Sequence, residues 1–131
     1  MLSGEEELVA FLDEILTPYV AALARVAVGE IINTDEVTFN AIVEVICAKL
    51  EITVREAVRQ INRDLRAKRY ANVRRLVREH PRIAKRAAEY VSKKLKHKLR
   101  QIIKEELMKL AEESEAKNVR PKTSRRNCNA A

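Results

Sequence analysis

Residues that form turns are scarce in this sequence, which has two glycines and three prolines among 131 residues. A fold of many short strands needs such residues at its connections, so an all-β fold is disfavoured. Aromatic residues make up 4% of the chain and tryptophan is absent, so the core must consist of Leu, Ile, Val and Ala. These absences predict an all-α protein of four to five helices, in which a small helical bundle is joined to long, extended basic helices.

Cysteines and long apolar runs are also few. Cys47 and Cys128 lie far apart in different contexts, which does not indicate a disulfide framework and favours a reducing, intracellular setting. The sequence has no run of about 18 apolar residues, so we expect no insertion into a membrane. The chain starts with the acidic residues Glu5, Glu6 and Glu7, a pattern unlike that of a signal peptide.

Patterns typical of catalysis or metal binding are missing. His80 and His97 have no Cys, Asp or Glu at a spacing that would complete a metal site. Cys47 lies on an apolar stretch without a histidine nearby in sequence, which is typical of a small core residue and not of a nucleophile. The two glycines form no phosphate-binding loop. We therefore expect no enzymatic activity, no metal and no cofactor.

Apolar residues recur at helical spacing over most of the chain. Residues 4–32 follow this pattern with an interruption at Thr17-Pro18, which predicts either two helices or one kinked helix. Asn33-Thr34-Asp35 predicts a turn with good N-cap residues, and the most hydrophobic helix of the chain follows it. Thr53 and Glu56 form a capping-box pattern, which predicts that a further helix starts near residue 54.

The second half of the chain predicts long basic helices. The apolar rhythm weakens at residues 67–72, which indicates either a short break or a stretch of helix with less core to cover. His80-Pro81 ends that helix, and Pro81 opens a last helix that continues to about residue 114. At about 1.5 Å per residue this helix is roughly 50 Å long, which exceeds the width of a compact domain of this size. Residues 116–131 lack periodicity and predict a disordered or extended basic tail.

Charge divides the chain into two parts. Residues 1–51 contain two basic and ten acidic residues, a net charge of −8, whereas residues 52–131 contain twenty-four basic and nine acidic residues, a net charge of +15. Residues 52–104 alone hold eighteen basic residues against four acidic ones. We assign residues 1–51 to an acidic, apolar helical region for packing and assembly, and residues 52–115 to basic nucleic-acid-binding helices. Alternatively, the acidic part neutralises the basic part, within one chain or between subunits.

The excess of positive charge favours a nucleic-acid partner. Acidic residues are too few to pair with the basic helices through i,i+4 contacts, and arginine suits bidentate contact with phosphate. An acidic protein partner and a solvated face or membrane surface remain as alternatives. The scarcity of aromatic residues disfavours membrane contact and base stacking. The predicted phosphate contacts are Arg55, Arg59, Arg63, Arg66, Lys68, Arg69, Arg74, Arg75, Arg78, Arg82, Arg86, Lys93, Lys96 and Arg100.

This layout resembles the small helical major capsid proteins of filamentous and rod-shaped archaeal viruses. The shared features are the size, the helical character, the scarcity of glycine, a polar tail, and basic helices such as "RDLRAKRYANVRRLVREHPR" at 63–82. The resemblance implies a virion subunit that assembles into helical filaments, often with a second related subunit, around linear double-stranded DNA that can be in the A form. Some members bind DNA with a basic N-terminal arm. This chain begins with acidic residues, so its DNA surface would start at Arg55.

From the sequence we therefore predict a structural protein that oligomerises along linear double-stranded DNA and coats it without sequence specificity. Its partners would be the duplex and further copies of the chain or of a related subunit. One alternative is a DNA-binding regulator of the helix-turn-helix type, with "TVREAVRQI" at 53–61 as its first helix. The other is a helical adaptor that docks an acidic protein partner. A location in the cytoplasm or nucleoid accompanies these alternatives.

Overall fold

The computed structural model describes residues 4–33 and 36–119, and over these residues it confirms the all-α prediction. No strand occurs in the described part of the chain. A short 3-10 helix (Leu65–Arg69) lies between the second and third α-helices. The α-helices are α1 (Gly4–Ile31), α2 (Glu36–Arg59), α3 (Val73–Glu79) and α4 (Pro81–Val119).

Helices α1, α2 and α4 pack together as a three-helix bundle. The hydroxyls of Tyr19 on α1 and Thr53 on α2 lie 3.2 Å apart, and Val26 of α1 shares a groove with Val45 of α2, so these two helices run in opposite directions. Glu51 on α2 contacts Lys96 on α4 and Cys47 lies near Arg100, so α2 and α4 also run in opposite directions. Helix α2 is thus antiparallel to both of its neighbours, so α1 and α4 run parallel. The segment from residue 60 to α3 returns the chain along the first half of α1.

The core lies along the axis of this bundle and is almost entirely aliphatic, as the composition predicts. Phe11 is the one aromatic residue among its fully buried side chains in the described region. A fully buried side chain of this kind stabilises the fold by about 1.5–3 kcal/mol. The largest fully buried side chains are Phe11, Leu8, Leu12, Leu50, Ile61, Leu95, Leu99, Ile103, Val20, Val54, Val73 and Val91.

Helix α1 is a single helix and continues through Pro18. Pro18 lies on an exposed side of the helix, where the hydrogen bond that proline removes can be replaced by water. The Thr17 hydroxyl donates to the carbonyl oxygen of Asp13 at 2.6 Å within the same turn. The sequence predicts either two helices or one kinked helix here, and the structure contains one helix. Thr34 and Asp35 of the predicted turn lie outside the described residues.

The predicted start of a helix near residue 54 is wrong, because α2 continues without interruption to Arg59. The Thr53 hydroxyl does not cap a helix and instead donates to the carbonyl oxygen of Lys49 at 2.9 Å. Leu50 and Val54 are both fully buried, so the apolar stripe crosses the capping-box pattern and burial holds the backbone helical. The division at residues 51 and 52 is therefore a boundary of charge that falls inside a helix.

The weak apolar rhythm at 67–72 corresponds to a real break between α2 and α3. Asp64 starts the 3-10 helix and accepts a hydrogen bond from the backbone N–H of Arg66 at 2.9 Å. The rings of Phe11 and Tyr70 then meet edge to face, with their centroids 5.7 Å apart. This contact, together with buried Ala67, anchors the break on α1.

Helix α4 begins at Pro81, as predicted, and extends to Val119, beyond the predicted end near residue 114. Its 39 residues give a length of about 58 Å. The last buried residue is Ile103 and the last one packed against the core is Leu107, so the end of α4 extends past the bundle. Residues 116–119 of the predicted tail are helical, and residues 120–131 lie outside the described residues.

Candidate nucleic-acid interface

The fourteen predicted phosphate-binding residues are all exposed or half-buried, and local pairing divides them into two groups. Six of them form ion pairs within the chain, and two more donate hydrogen bonds to neutral groups. The other six have no ion pair or hydrogen bond from their side chains to the described residues. The paired residues are Arg55, Arg59, Arg63, Arg66, Arg69, Arg74, Arg75 and Lys96. The unpaired ones are Lys68, Arg78, Arg82, Arg86, Lys93 and Arg100.

Most of the paired arginines stabilise the connection between α2 and α3. Arg66 donates from Nε and Nη2 to the two carboxylate oxygens of Asp64, at 3.0 and 2.7 Å. Arg74 is half-buried and donates from Nη2 to the carbonyl oxygen of Asp64 at 3.1 Å. Arg69 pairs with Glu14 on α1 at 2.9 Å. Of these contacts, the pair between Arg69 and Glu14 is the one that joins the acidic part of the chain, residues 1–51, to the basic part.

The pKa values of two groups in this connection, Asp64 and Tyr70, are shifted by such contacts. The hydrogen bonds from Arg66 lower the pKa of Asp64 below its ordinary value. The Tyr70 hydroxyl donates to Glu14 at 2.7 Å, and this bond to a carboxylate raises the pKa of Tyr70. The Tyr70 ring thus packs on α1, so it is not available for stacking on bases.

Unpaired cations form a stripe on α4, in which Glu89 is the one acidic residue on the same side, between Arg86 and Lys93. Arg82, Arg86, Lys93 and Arg100 follow one another at spacings of four, seven and seven residues, so they lie on one side of the helix. Lys104 continues the series after four more residues, and all five side chains are exposed. We call these five residues the α4 stripe. It is about 33 Å long at 1.5 Å per residue.

Acidic residues do not offset the charge of this part of α4. Residues 81–104 contain nine Lys or Arg and one acidic residue, Glu89. Lys96 is the only one of the nine with an ion pair to a described residue. Like charges at these spacings repel one another, so α4 presents a surface that an external polyanion would stabilise.

A groove between α2 and α4 opens beside the stripe and has a volume of about 620 Å³. Glu51 and Arg55 of α2 form one wall, and Lys85, Lys93 and Lys96 are among the residues from α4. We call it the α2–α4 groove. Lys93 belongs to both the groove and the stripe.

Lys85 and Lys104 lie at these two surfaces but are not among the fourteen residues predicted from the sequence. Their signal is positional, because Lys85 follows Arg82 by three residues and Lys104 follows Arg100 by four. Projection of the last predicted helix onto a helical wheel would have placed both beside the predicted contacts.

The remaining features of the described residues are the buried thiol of Cys47, the side chains that could ligate a metal ion and the apolar character of the helices. Burial raises the pKa of the Cys47 thiol, although Arg100 and Lys96 nearby oppose the shift, so the neutral thiol predominates near pH 7. Within residues 4–33 and 36–119, no cluster of three or more His, Cys, Asp or Glu side chains could hold a metal ion. None of the described helices has the length and apolar character that a bilayer-crossing segment requires.

Comparisons with known proteins add no assignment, since no family model, curated protein or solved structure matches this chain.

Proposed function

We propose that the protein is a structural DNA-binding protein whose copies assemble along linear double-stranded DNA and coat it without sequence specificity. The observation that carries this proposal is the α4 stripe, five exposed cations in line that lack partners among the described residues. Arginine and lysine in line along one side of a helix suit the phosphates of a duplex, which carries one negative charge per about 1.7 Å of its axis.

The composition of the stripe favours phosphate contact over the recognition of base edges. Most protein–DNA hydrogen bonds go to phosphate and sugar oxygens, and five cations spread over about 33 Å of helix extend beyond the few side chains with which a recognition helix reads bases. Aromatic platforms for single strands are scarce, because Tyr70 is packed on Phe11 and bonded to Glu14, which leaves Tyr90 as the one largely exposed aromatic side chain of the described basic helices. A non-specific duplex-binding surface accounts for both features.

Assembly is the second part of the proposal, and its contact surface would be an apolar groove of about 410 Å³ between α1 and α2. Val26 and Val45 line it and are 55% and 60% exposed. We propose that the end of α4 from a second copy occupies this groove. The core-facing stripe of α4 continues past Ile103 through Leu107 to Leu110, which the bundle leaves 40% exposed.

One charged contact supports that occupant. Lys49 lines the groove and is one of the two basic residues among residues 1–51, although Glu30 lines it as well. The end of α4, residues 105–119, carries five acidic residues against two basic ones, so it can supply a carboxylate for Lys49. A contact between two different surfaces of identical subunits produces an open filament when its rotation does not close. A filament around DNA is the form expected of a virion capsid subunit, and we propose this location.

The salt dependence of binding to several unrelated duplexes tests the DNA part of the proposal. Six to ten phosphate contacts would lower the affinity about 10³–10⁵-fold between 50 and 200 mM salt. Equal affinity for all duplexes supports a coating protein. One strongly preferred site with protection at half-site spacing would favour the helix-turn-helix alternative. Affinity that does not change with salt would contradict the proposal.

A matched pair of variants tests the stripe itself. Arg86→Gln combined with Arg100→Gln removes two stripe cations and should reduce the salt slope by about 1.8. Lys94→Gln combined with Lys98→Gln removes the same charge from another side of the same helix. The control should retain most of the wild-type slope. Equal losses in both variants would show that binding depends on net charge and not on the stripe. Electron microscopy with linear duplex DNA should show regular filaments for the control.

A further inference from the structure

The floor of the α2–α4 groove contains an unusual residue. Ser92 is the single buried polar or charged residue in the described part of the chain, with 6% of its surface exposed. Its hydroxyl has no hydrogen-bond partner among the described residues. Arg74 Nε is the only side-chain polar atom in the described region that is both fully buried and without a partner, so the Ser92 oxygen remains accessible from the groove and can take a hydrogen-bond partner from outside. Ser92 lines the groove, so that group would enter from there.

The walls of the groove determine the charge of such a group. Arg55, Lys85, Lys93 and Lys96 face two carboxylates, Glu51 and Glu89, which leaves a net charge of +2. Glu51 is already engaged with Lys96 and Arg55, at 3.0 and 2.6 Å. Lys85 and Lys93 each lie four residues from Glu89, yet neither forms an ion pair with it. Two free ammonium groups are therefore available beside an unpaired hydroxyl.

The small side chains at the floor of the groove allow an anion to approach α4 closely. Ala88 lies one turn before Ser92, and these two small side chains form the floor between the longer cationic ones. A tetrahedral anion with several acceptor oxygens can take a hydrogen bond from a hydroxyl and from ammonium groups at the same time. A carboxylate group has fewer acceptor directions for donors that converge from the floor and from both walls.

We propose that the α2–α4 groove holds a phosphodiester group of the duplex backbone. The Ser92 hydroxyl donates to a non-bridging phosphate oxygen, Lys85 and Lys93 bind the phosphate from α4, and Arg55 contacts it from α2. This inference rests on the proposed function, and it deepens it by adding Ser92 and Lys85 to the contacts. Because Lys93 also belongs to the α4 stripe, a phosphate in the groove is continuous with the track along α4 and fixes the register of the duplex on it.

Two single substitutions in the full chain separate this site from general charge attraction. Ser92→Ala removes a neutral donor, so duplex affinity should fall about tenfold while the salt slope stays unchanged. Lys85→Gln removes a cation, so the slope should decrease by about 0.9. Lys98→Gln, an exposed cation of α4 outside the groove, serves as the matched control. Thermal unfolding of each variant checks that the bundle is intact, and alanine is compatible with a helix at position 92.

The outcomes distinguish a failure of the groove inference from a failure of the proposed function. If Ser92→Ala and Lys85→Gln bind duplex like the wild type and the control, the inference is overturned while DNA coating stands. A loss for Lys85→Gln no greater than that for Lys98→Gln, with Ser92→Ala unaffected, also overturns it. If the wild type binds no duplex, both proposals fail. A separate titration of the wild type and of Ser92→Ala with pyrophosphate shows whether the groove binds a phosphate group that is not part of DNA. Weaker binding of pyrophosphate by Ser92→Ala supports the site.

Discussion

Glu51 connects two cations at the α2–α4 groove: its Oε2 lies 3.0 Å from Nζ of Lys96, and its Oε1 lies 2.6 Å from Nη2 of Arg55. The pair with Lys96 is the one ion pair between α2 and α4 in the described part of the chain. The hydrogen bond from Lys96 is the main cause that lowers the pKa of Glu51, and its carboxylate is therefore charged at neutral pH. It offsets part of the positive charge that these two cations present to a phosphate in the groove.

Replacing Glu51 with Gln should therefore strengthen DNA binding. Lys96 and Arg55 would each be released, and the salt slope should become steeper by up to about 1.8. The free energy of unfolding should change by less than about 1 kcal/mol, because the pair is partly exposed and screened by solvent. Glu44→Gln removes the same charge from an exposed position of the same helix and is the control. Equal changes in both variants, measured by fluorescence anisotropy, would contradict a specific role for Glu51.

Substitutions of Tyr70 should separate packing from DNA contact. Tyr70→Phe loses the hydrogen bond to Glu14 and keeps the ring on Phe11, so the free energy of unfolding should fall by about 0.5 kcal/mol. Tyr70→Ala also loses the ring and should lower it by about 2 kcal/mol. Urea denaturation measures both values. Without denaturant, Tyr70→Phe and the wild type should bind duplex DNA with the same affinity. A tenfold loss of affinity in Tyr70→Phe would show that Tyr70 contacts DNA.

Asp64 should make the stability of the α2–α3 connection depend on pH. Its hydrogen bonds from Arg66 lower the pKa in the folded state below the ordinary value of 3.8. The stabilisation is therefore complete above the unfolded-state pKa and is lost as the pH falls through the folded-state pKa. Asp64→Ala should lower the free energy of unfolding by about 1 kcal/mol at pH 7. Urea denaturation should show that this difference shrinks below about pH 4, and a difference that grows in acid would contradict the assignment.

Two leucines of α4 should differ sharply in their contribution to stability. Leu99 is fully buried in the bundle, so Leu99→Ala should lower the free energy of unfolding by about 2–5 kcal/mol. Leu110 lies beyond the bundle, so Leu110→Ala should change it by less than about 0.5 kcal/mol. Denaturation of dilute protein without DNA measures both. A large loss in Leu110→Ala would mean that the end of α4 is covered even in dilute protein.

A charge in the apolar groove of α1 and α2 should block assembly without unfolding the protein. Val45 is 60% exposed, so Val45→Glu should change the free energy of unfolding by less than about 0.5 kcal/mol. Filaments with linear DNA should be absent in electron micrographs, since a glutamate in the groove would lose its hydration on assembly and would repel the acidic end of α4. Ala48→Glu, a nearby exposed site outside the groove, is the control for added charge. Normal filaments of Val45→Glu would place the contact elsewhere.

Local patterns in the sequence predicted the fold class, the composition of the core and several helix boundaries. Scarce glycine and aromatic residues, together with apolar residues at helical spacing, were sufficient for the all-α fold and its aliphatic core. His80-Pro81 located the start of α4 correctly, because proline restricts its own backbone and that of the residue before it. The pattern at Thr53 and Glu56 failed, because the burial of Leu50 and Val54 against other helices determined the backbone there.

The amino-acid sequence by itself determined which elements form and how much positive charge the chain carries. The tertiary structure decided which cations pair with residues far away in the sequence, whereas Arg55, Arg59 and Arg75 pair with neighbours within about one turn. Glu14 neutralises Arg69 and Glu51 engages Lys96, and these partners are 55 and 45 residues apart in sequence. Helical periodicity reports only on neighbours within one or two turns, so it assigned all fourteen cations to one track. Packing of α2 against α4 also created the groove around Ser92, because a hydroxyl becomes buried only when a second helix covers it.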